Sequence, residues 1–283
     1  MAILRTLLVL GRVSNLPTVW SNCLAGWLLS GGGDWGRFAL LCFGATCLYV
    51  GGMYLNDAFD AQFDQQHRPE RPIPSGAISA NHVWALGMSW LGVGTGSLFL
   101  FTKTTIIFTL LLAAAILVYD AIHKIFAFSP VLMASCRLFL VLVAASAGED
   151  GVTGLAIWSA LVMAAYIIGL SYLARKESTV VTIRFWPCTC LAAPLVLAVI
   201  VNWGGPQSRV WLLLGIVALW MLRCLRFVFL SSQRNIGLCV SGLLAGIPLV
   251  DLLSVWQGSP TVTAAFSGLF VLALVFQRFI PAT

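Results

Sequence analysis

Ten apolar runs, each close to the length that crosses a bilayer, follow one another along this 283-residue chain. They cover about 16–31, 37–57, 82–101, 105–122, 130–147, 153–174, 187–203, 209–230, 236–256 and 264–280, the last being the weakest. A helix needs about 20 apolar residues to span the hydrocarbon core; a barrel strand needs about 10 and alternates with period two. The runs have the helical length and lack the alternation, so they predict membrane helices. Only 9 % of residues are charged, against about 25 % in soluble domains. So few charges cannot cover a water-facing exterior. The expected fold is all-α and polytopic, with most of its surface in lipid.

The charge that exists is unevenly placed. Alternating the connections puts Arg5, Arg12, Arg68, Arg71, Lys124, Arg175, Lys176, Arg184, Arg234 and Arg278 on one side, with Arg223 and Arg226 just before it. Arg37, Lys103 and Arg209 fall opposite, alongside Asp34, Glu149 and Asp150. The positive-inside rule makes the first side cytoplasmic. The charged loops 57–81, 120–130 and 174–186 all lie there and can converge over one mouth; the first and last hint at a weak two-fold repetition. The +6 net charge is spread over short loops and forms no dense tract, which argues against a nucleic-acid partner. Arg5 interrupts the short Met1–Leu10 run, so the first span is expected to act as the insertion signal. The eight cysteines sit in or near apolar runs without metal-ligand spacing, as small core residues do. No soluble domain or long linker interrupts the pattern, and residues 1–283 read as one transmembrane domain.

The second run closes on Asn56-Asp57-Ala58-Phe59-Asp60-Ala61-Gln62-Phe63-Asp64. On a helix, Asn56, Asp60 and Asp64 share one stripe, and Asp57 neighbours both aspartates. Carboxylates crowded at a membrane boundary repel one another and lose hydration, and a bound cation relieves both penalties. Oxygen-only donors suit Mg²⁺, which keeps positions open for phosphate oxygens. Phe59 and Phe63 fall on another face, free to pack on neighbouring helices. Downstream, in His67-Arg68-Pro69-Glu70-Arg71-Pro72-Ile73-Pro74-Ser75-Gly76, two arginines follow in a proline-stiffened loop. Their guanidinium forks match phosphate oxygens. An acidic cluster with a basic hook is what a metal-bridged diphosphate needs.

This block, from Asn56 to Gly76, resembles the first signature of the UbiA superfamily of intramembrane aromatic prenyltransferases. Arg12-Val13-Ser14-Asn15-Leu16-Pro17-Thr18 with Asn22 resembles the family's opening helix, and Tyr119-Asp120-x-x-His123-Lys124 the inner end of its fourth. The resemblance implies about nine, or ten, transmembrane helices around a lipid-open central cavity. It also implies Mg²⁺ held by Asn56, Asp57, Asp60 and Asp64, and a diphosphate held by Arg68, Arg71, Tyr119 and Lys124. The implied activity is transfer of a prenyl chain from a polyprenyl diphosphate to an aromatic or other lipophilic acceptor. Asp57, Asp60, Asp64 and Lys124 are then the candidate catalytic residues. Asn22, Arg68, Arg71, Tyr119, Arg137, Tyr172, Arg175 and Lys176 are the candidate substrate-binding residues.

The family usually carries a second aspartate-rich motif at the inner end of its sixth helix. The corresponding Ser171-Tyr172-Leu173-Ala174-Arg175-Lys176-Glu177-Ser178 has no aspartate. Arg175 and Lys176 could contact phosphate in place of a second cation, or the site could have kept binding and lost chemistry. Together with Gly246-Ile247-Pro248-Leu249-Val250-Asp251, this stretch resembles a divergent UbiA-like branch called EboC. The alternative reading is therefore a non-catalytic binder or translocator of isoprenoids; ion transport ranks below both, because its carboxylates would be spread through the bilayer. Arg137 either reaches the cavity mouth or pairs with Asp120. Asp251 is expected to pair with Arg223 or Arg226, ahead of the alternative that it lines a polar pocket. His67 and His82 are read as interfacial, His123 as interfacial ahead of a place near the diphosphate beside Lys124, and most tryptophans as an aromatic belt, with a few able to line a prenyl groove. Nothing in the sequence fixes an oligomeric state.

Overall fold

The computed structural model describes residues 2–102, 104–126, 128–176, 185–202, 208–231, 233–255 and 259–282. Among them there are helices and no strands. In chain order they are α1 Ala2–Leu10, α2 Leu16–Leu28, α3 Trp35–Phe59, α4 Ala61–His67, α5 Ala80–Phe101, α6 Ile106–Ile122, α7 Ser129–Ser146, α8 Gly154–Arg175, α9 Ala193–Val201, α10 Ser208–Phe229, α11 Ile236–Ala245, α12 Ile247–Ser254 and α13 Pro260–Gln277. Each of the ten apolar runs becomes helical. Among the described residues seven spans are long and apolar enough to cross a bilayer, α11 and α12 counting as one, and two more apolar helices are shorter. Large apolar side chains such as Leu212, Leu219 and Leu222 on α10 face outward, as a lipid solvent requires.

Local chemistry sets the starts and breaks. Asp34, Ser79, Thr153 and Asn235 each accept a backbone N–H of the first turn of α3, α5, α8 and α11. The 187–203 run opens as a 3₁₀ segment, Trp186–Ala192, and becomes α-helical only after it, with Pro194 in the first turn of α9. The 236–256 run breaks at Gly246, because Pro248 has no N–H to continue the ladder. The Gly246 N–H closes α11 on Gly242 O and Leu243 O, and each of these carbonyls gains a second donor: the Trp220 indole reaches Gly242 O at 2.9 Å, and the Tyr166 hydroxyl reaches Leu243 O at 2.8 Å. Inside a membrane, such added donors stabilise carbonyls beside a break in the ladder. Met1–Leu10, read from sequence as a short interrupted run, instead forms α1 from Ala2. The chain turns into α2 at Arg12, whose φ is +40°.

Helices α3 and α5 approach most closely through glycine. A Cβ on Gly51 would lie 2.9 Å from both Gly87 O and Leu91 N, and backbone atoms cannot yield. Gly51→Val is expected to lower stability by about 1–3 kcal/mol through overpacking, read as a lower thermal midpoint in detergent. Gly96→Ala, facing open space on the same α5, is expected to leave the midpoint unchanged or raised.

Two apolar clusters build the interior. One joins α8, α10 and α11 around Tyr166, Leu173 and Leu243; the other joins α2, α3, α5 and α7 around Cys23, Leu41, Leu48 and Val143. Ile167, Leu170 and Val240 of the first, and Val19, Ala45, Leu112 and Leu140 of the second, form walls of a cavity of about 490 Å³. The described tryptophans differ in exposure. Trp27 is buried, and the Trp20 indole donates to Thr46 at 2.9 Å, whereas Trp158, Trp186 and Trp211 are exposed. Trp203 and Trp256 lie outside the described residues.

Candidate active site

The acidic stripe spans the joint between α3 and α4. Asp60 keeps helical angles there, and the bonds Asp60 N–H to Asn56 O (3.0 Å) and Asp64 N–H to Asp60 O (2.9 Å) carry the ladder across. Asn56, Asp60 and Asp64 therefore stay on one face, as the spacing predicts. All four polar side chains, Asp57 included, are at most 7 % exposed. Buried carboxylates need counter-charge, and three separate segments supply it.

Arg71 is one. Backbone bonds Ser75 N–H to Arg71 O and Ala77 N–H to Pro72 O fold the proline-rich loop back over the stripe. Arg71 Nη1 then lies 3.2 Å from Asp57 Oδ1 and 2.9 Å from Asp64 Oδ2. Lys124, beyond the end of α6, places Nζ 2.8 Å from Asp60 Oδ1 and over the Phe63 ring at 3.6 Å. His123 Nε2 is 3.4 Å from Asp60 Oδ2. Arg12 is the third segment: Nη2 reaches Asp57 Oδ1 at 3.0 Å and Asn56 Oδ1 at 3.4 Å. Its left-handed backbone, costly for a residue with a Cβ, is held in part by the Tyr49 hydroxyl donating to Arg12 O at 3.2 Å. Burial alone would raise the Asp60 pKa. Hydrogen bonds and charge from His123 and Lys124 outweigh it and leave the carboxyl below its ordinary value.

Arg68 and Tyr119 also line the cavity, Tyr119 with its ring stacked on His123 at 4.9 Å. Phe59 packs on Trp84 as expected, but Phe63 lines the cavity and stacks on His67. At the end of α8, Arg175 lines the cavity and donates to Phe126 O at 3.1 Å. Tyr172 and Lys176 are not among the lining residues; the Lys176 ammonium stands 5.8 Å from the Tyr172 ring centre. Glu177 lies outside the described residues.

Three expectations need correction. Asn22 does not line the cavity: it is fully buried beneath it, accepting from Arg137 Nη1 at 2.8 Å and donating to Asp251 Oδ2 at 2.8 Å. Asp251 pairs with neither Arg223 nor Arg226, because α12 turns it toward α2, where Ser21 also donates to it. Those two arginines instead cover the Trp220 and Phe227 rings. Of the two alternatives for Arg137 the first holds: it lines the cavity, bonded to Asn22 and Thr18 and not to Asp120. His123 is a cavity residue against Asp60, not merely interfacial.

Arg12 and Asp120 enter the site without having been chosen from sequence as site residues. Both stood inside quoted motifs, and Asp120 lies one helical turn before Lys124. Their contacts with Asn56 and Asp57 cross 44 to 64 residues of chain, which spacing cannot show.

The oxygen-only donors fit a hard divalent cation in kind. Among the described residues, no three carboxylate, histidine or cysteine side chains already converge as metal ligands do. Arg71 and Lys124 occupy that electrostatic role instead. A divalent cation would take over as counter-charge and free both for phosphate oxygens.

Comparison with known proteins gives one answer. Residues 15–274 match the UbiA prenyltransferase family. Digeranylgeranylglyceryl phosphate synthase of Ignicoccus hospitalis is 35 % identical over 91 residues, 32 % of this chain and 30 % of that one. The chloroplastic chlorophyll synthase of Oryza sativa subsp. japonica is 36 % identical over 88 residues, 28 % of this chain and 23 % of that one. These alignments thus span about a third or less of each relative. A solved structure concerned with digeranylgeranylglyceryl phosphate synthase superposes with a TM-score of 0.63 at 17 % identity, covering 96 % of this chain and all of that one. A UbiA homologue from Archaeoglobus fulgidus, bound to GPP and Mg²⁺, gives 0.54 at 12 % identity, covering 99 % and 98 %. With the helical membrane fold in common and the family match running over most of its length, the chain belongs to the UbiA prenyltransferase family.

Proposed function

We propose that the protein is a Mg²⁺-dependent intramembrane prenyltransferase, moving a prenyl group from a polyprenyl diphosphate to an aromatic or other lipophilic acceptor. The observation that carries this is the buried carboxylate–cation array at one end of a largely apolar cavity of about 490 Å³. Asn56, Asp57, Asp60 and Asp64 would hold the metal, which supplies positive charge to the departing diphosphate. Arg68, Arg71 and Lys124 bind the phosphate oxygens, and Arg175 closes the same mouth from α8. The prenyl chain lies along Val19, Leu48, Leu112 and Leu140, away from water. Tyr49, Tyr119 and Phe63 present aromatic faces to the positive charge that develops on the allylic carbon. The bias of lysine and arginine supports a site open to the cytoplasm.

The test is incubation of the purified protein in lipid vesicles with labelled prenyl diphosphates of several lengths, with and without Mg²⁺. Mg²⁺-dependent diphosphate release with a prenylated lipophilic product supports the reading. Arg71→Ala is expected to lower kcat/KM for the diphosphate about 10- to 100-fold, the worth of one or two charge-assisted hydrogen bonds.

A second reading, an isoprenoid binder without chemistry, draws on Arg175 standing where the family usually has aspartates. Saturable binding of the labelled diphosphates without any release would favour it.

A further inference from the structure

One carboxylate oxygen of the cavity wall has no partner. Asp120, on the last turn of α6, is 3 % exposed and lines the cavity. Its Oδ1 accepts from Asn56 Nδ2 at 3.1 Å, whereas Oδ2 is buried without a hydrogen bond. Leaving such an atom unpaired costs about 1–3 kcal/mol, more when it is charged. In structures generally, that condition marks strain or a missing ligand.

Its neighbours say which ligand. The Asn56 amide is oriented unambiguously: Oδ1 faces the Arg12 guanidinium, which can only donate, and Nδ2 faces Asp120. Asp120 thus shares Asn56 with the acidic stripe. It also sits one turn before Lys124, on the face of α6 that delivers Nζ to Asp60. An acidic oxygen placed there adds negative charge to a site already rich in it, and a divalent cation would offset that charge. Meanwhile the inner end of α8 brings Arg175, not a carboxylate, to the cavity.

We propose that Asp120 is a further metal-coordinating carboxylate, offering Oδ2 to a divalent cation and so supplying from α6 the acidic oxygen that the described end of α8 lacks. This rests on the Mg²⁺–diphosphate reading above. The competing role is purely structural: Asp120 as the acceptor that holds Asn56 in orientation.

Asp120→Asn separates the two, since its amide oxygen still accepts from Asn56 while the anionic oxygen is gone. The full chain in lipid nanodiscs is titrated with Mn²⁺, read by electron paramagnetic resonance, in the presence of an unreactive geranylgeranyl thiodiphosphate. Asp120→Asn is expected to weaken Mn²⁺ binding about 10- to 100-fold with an unchanged thermal midpoint. Asp120→Cys provides a second line: a thiolate ligand shifts preference from Mn²⁺ toward Cd²⁺ by tenfold or more, about 1.4 kcal/mol, a change no structural role would produce. Unaltered Mn²⁺ affinity in Asp120→Asn together with an unaltered Cd²⁺ preference in Asp120→Cys overturns the assignment while leaving the site's metal reading intact. An unchanged protein that takes up no Mn²⁺ with the thiodiphosphate overturns both.

Discussion

Asp60→Asn is expected to lower Mg²⁺-dependent diphosphate release by about 10³-fold or more, with the protein still folded and inserted. The size follows from charge. A metal stabilising a leaving group contributes several kcal/mol, and about 4 kcal/mol is a factor of 10³ in rate. Asp60 carries more of this than its neighbours because its contacts are not duplicated. Asp57 shares Arg12 and Arg71 with the rest of the stripe, so a loss there is partly absorbed. Asp60 alone, among the described carboxylates, meets Lys124 and His123. Removing its charge releases both cations together; on the proposed reading this misplaces Lys124, the phosphate contact just beyond α6, as well as one metal oxygen. The measurement is single-turnover release from labelled prenyl diphosphate in vesicles, beside a size-exclusion profile of the same preparation. Turnover within tenfold of the unchanged protein would sink the role given to Asp60. The metal-free protein has its own signature. The Asp60 pKa is depressed, so its ion pairs are fully present above the ordinary carboxylate value of about 3.9 and are lost only as pH falls through the lower, folded value. Mild acidification to pH 5 is therefore expected to leave this corner of the site in place.

The helices were legible because a membrane imposes a length and a hydropathy that no soluble fold shares. All ten runs reappear as helical elements, and the errors lie where length was shared between pieces. The 236–256 run is one apolar stretch, yet Pro248 and Gly246 divide it, and nothing local said that Trp220 and Tyr166 would donate to the carbonyls beside the break. The acidic stripe was legible for the same reason: i, i+4, i+8 spacing is a local property. Arg12 was not, because its value to Asp57 depends on a left-handed turn before α2 and on the packing of α1 and α2 beside α3. Asp251 was misassigned on a similar ground. Arg223 and Arg226 are cations of the preceding apolar run, but packing α12 against α2 put Ser21 and Asn22 within its reach instead.

That misassigned aspartate carries the second large effect. Arg137→Met is expected to destabilise the protein by about 3 kcal/mol or more, while Arg137→Met combined with Asp251→Asn recovers most of the loss. Arg137 and Asp251 do not touch; Asn22 joins them, its Oδ1 on the guanidinium and its Nδ2 on the carboxylate. Thr18 and Ser21 complete the set from α2. The two charges, 9 % and 4 % exposed, therefore neutralise each other across one amide in the middle of the bundle. Such a unit contributes little net stability over an apolar equivalent, but removing one member strands the other without water or counter-charge, at about 3–5 kcal/mol. Methionine fills much of the volume of arginine, which limits the cavity contribution and leaves charge as the main cause. The double variant restores neutrality and keeps a partner for Ser21 and Asn22, so the coupling between the two sites should be large and opposite in sign to the single losses. Thermal midpoints of the four proteins in one detergent measure it. Additive losses would mean that Arg137 is held for its position on the cavity wall and not for its charge against Asp251. In that case Arg137→Met should impair prenyl transfer while leaving the Asp251→Asn background no more stable than before.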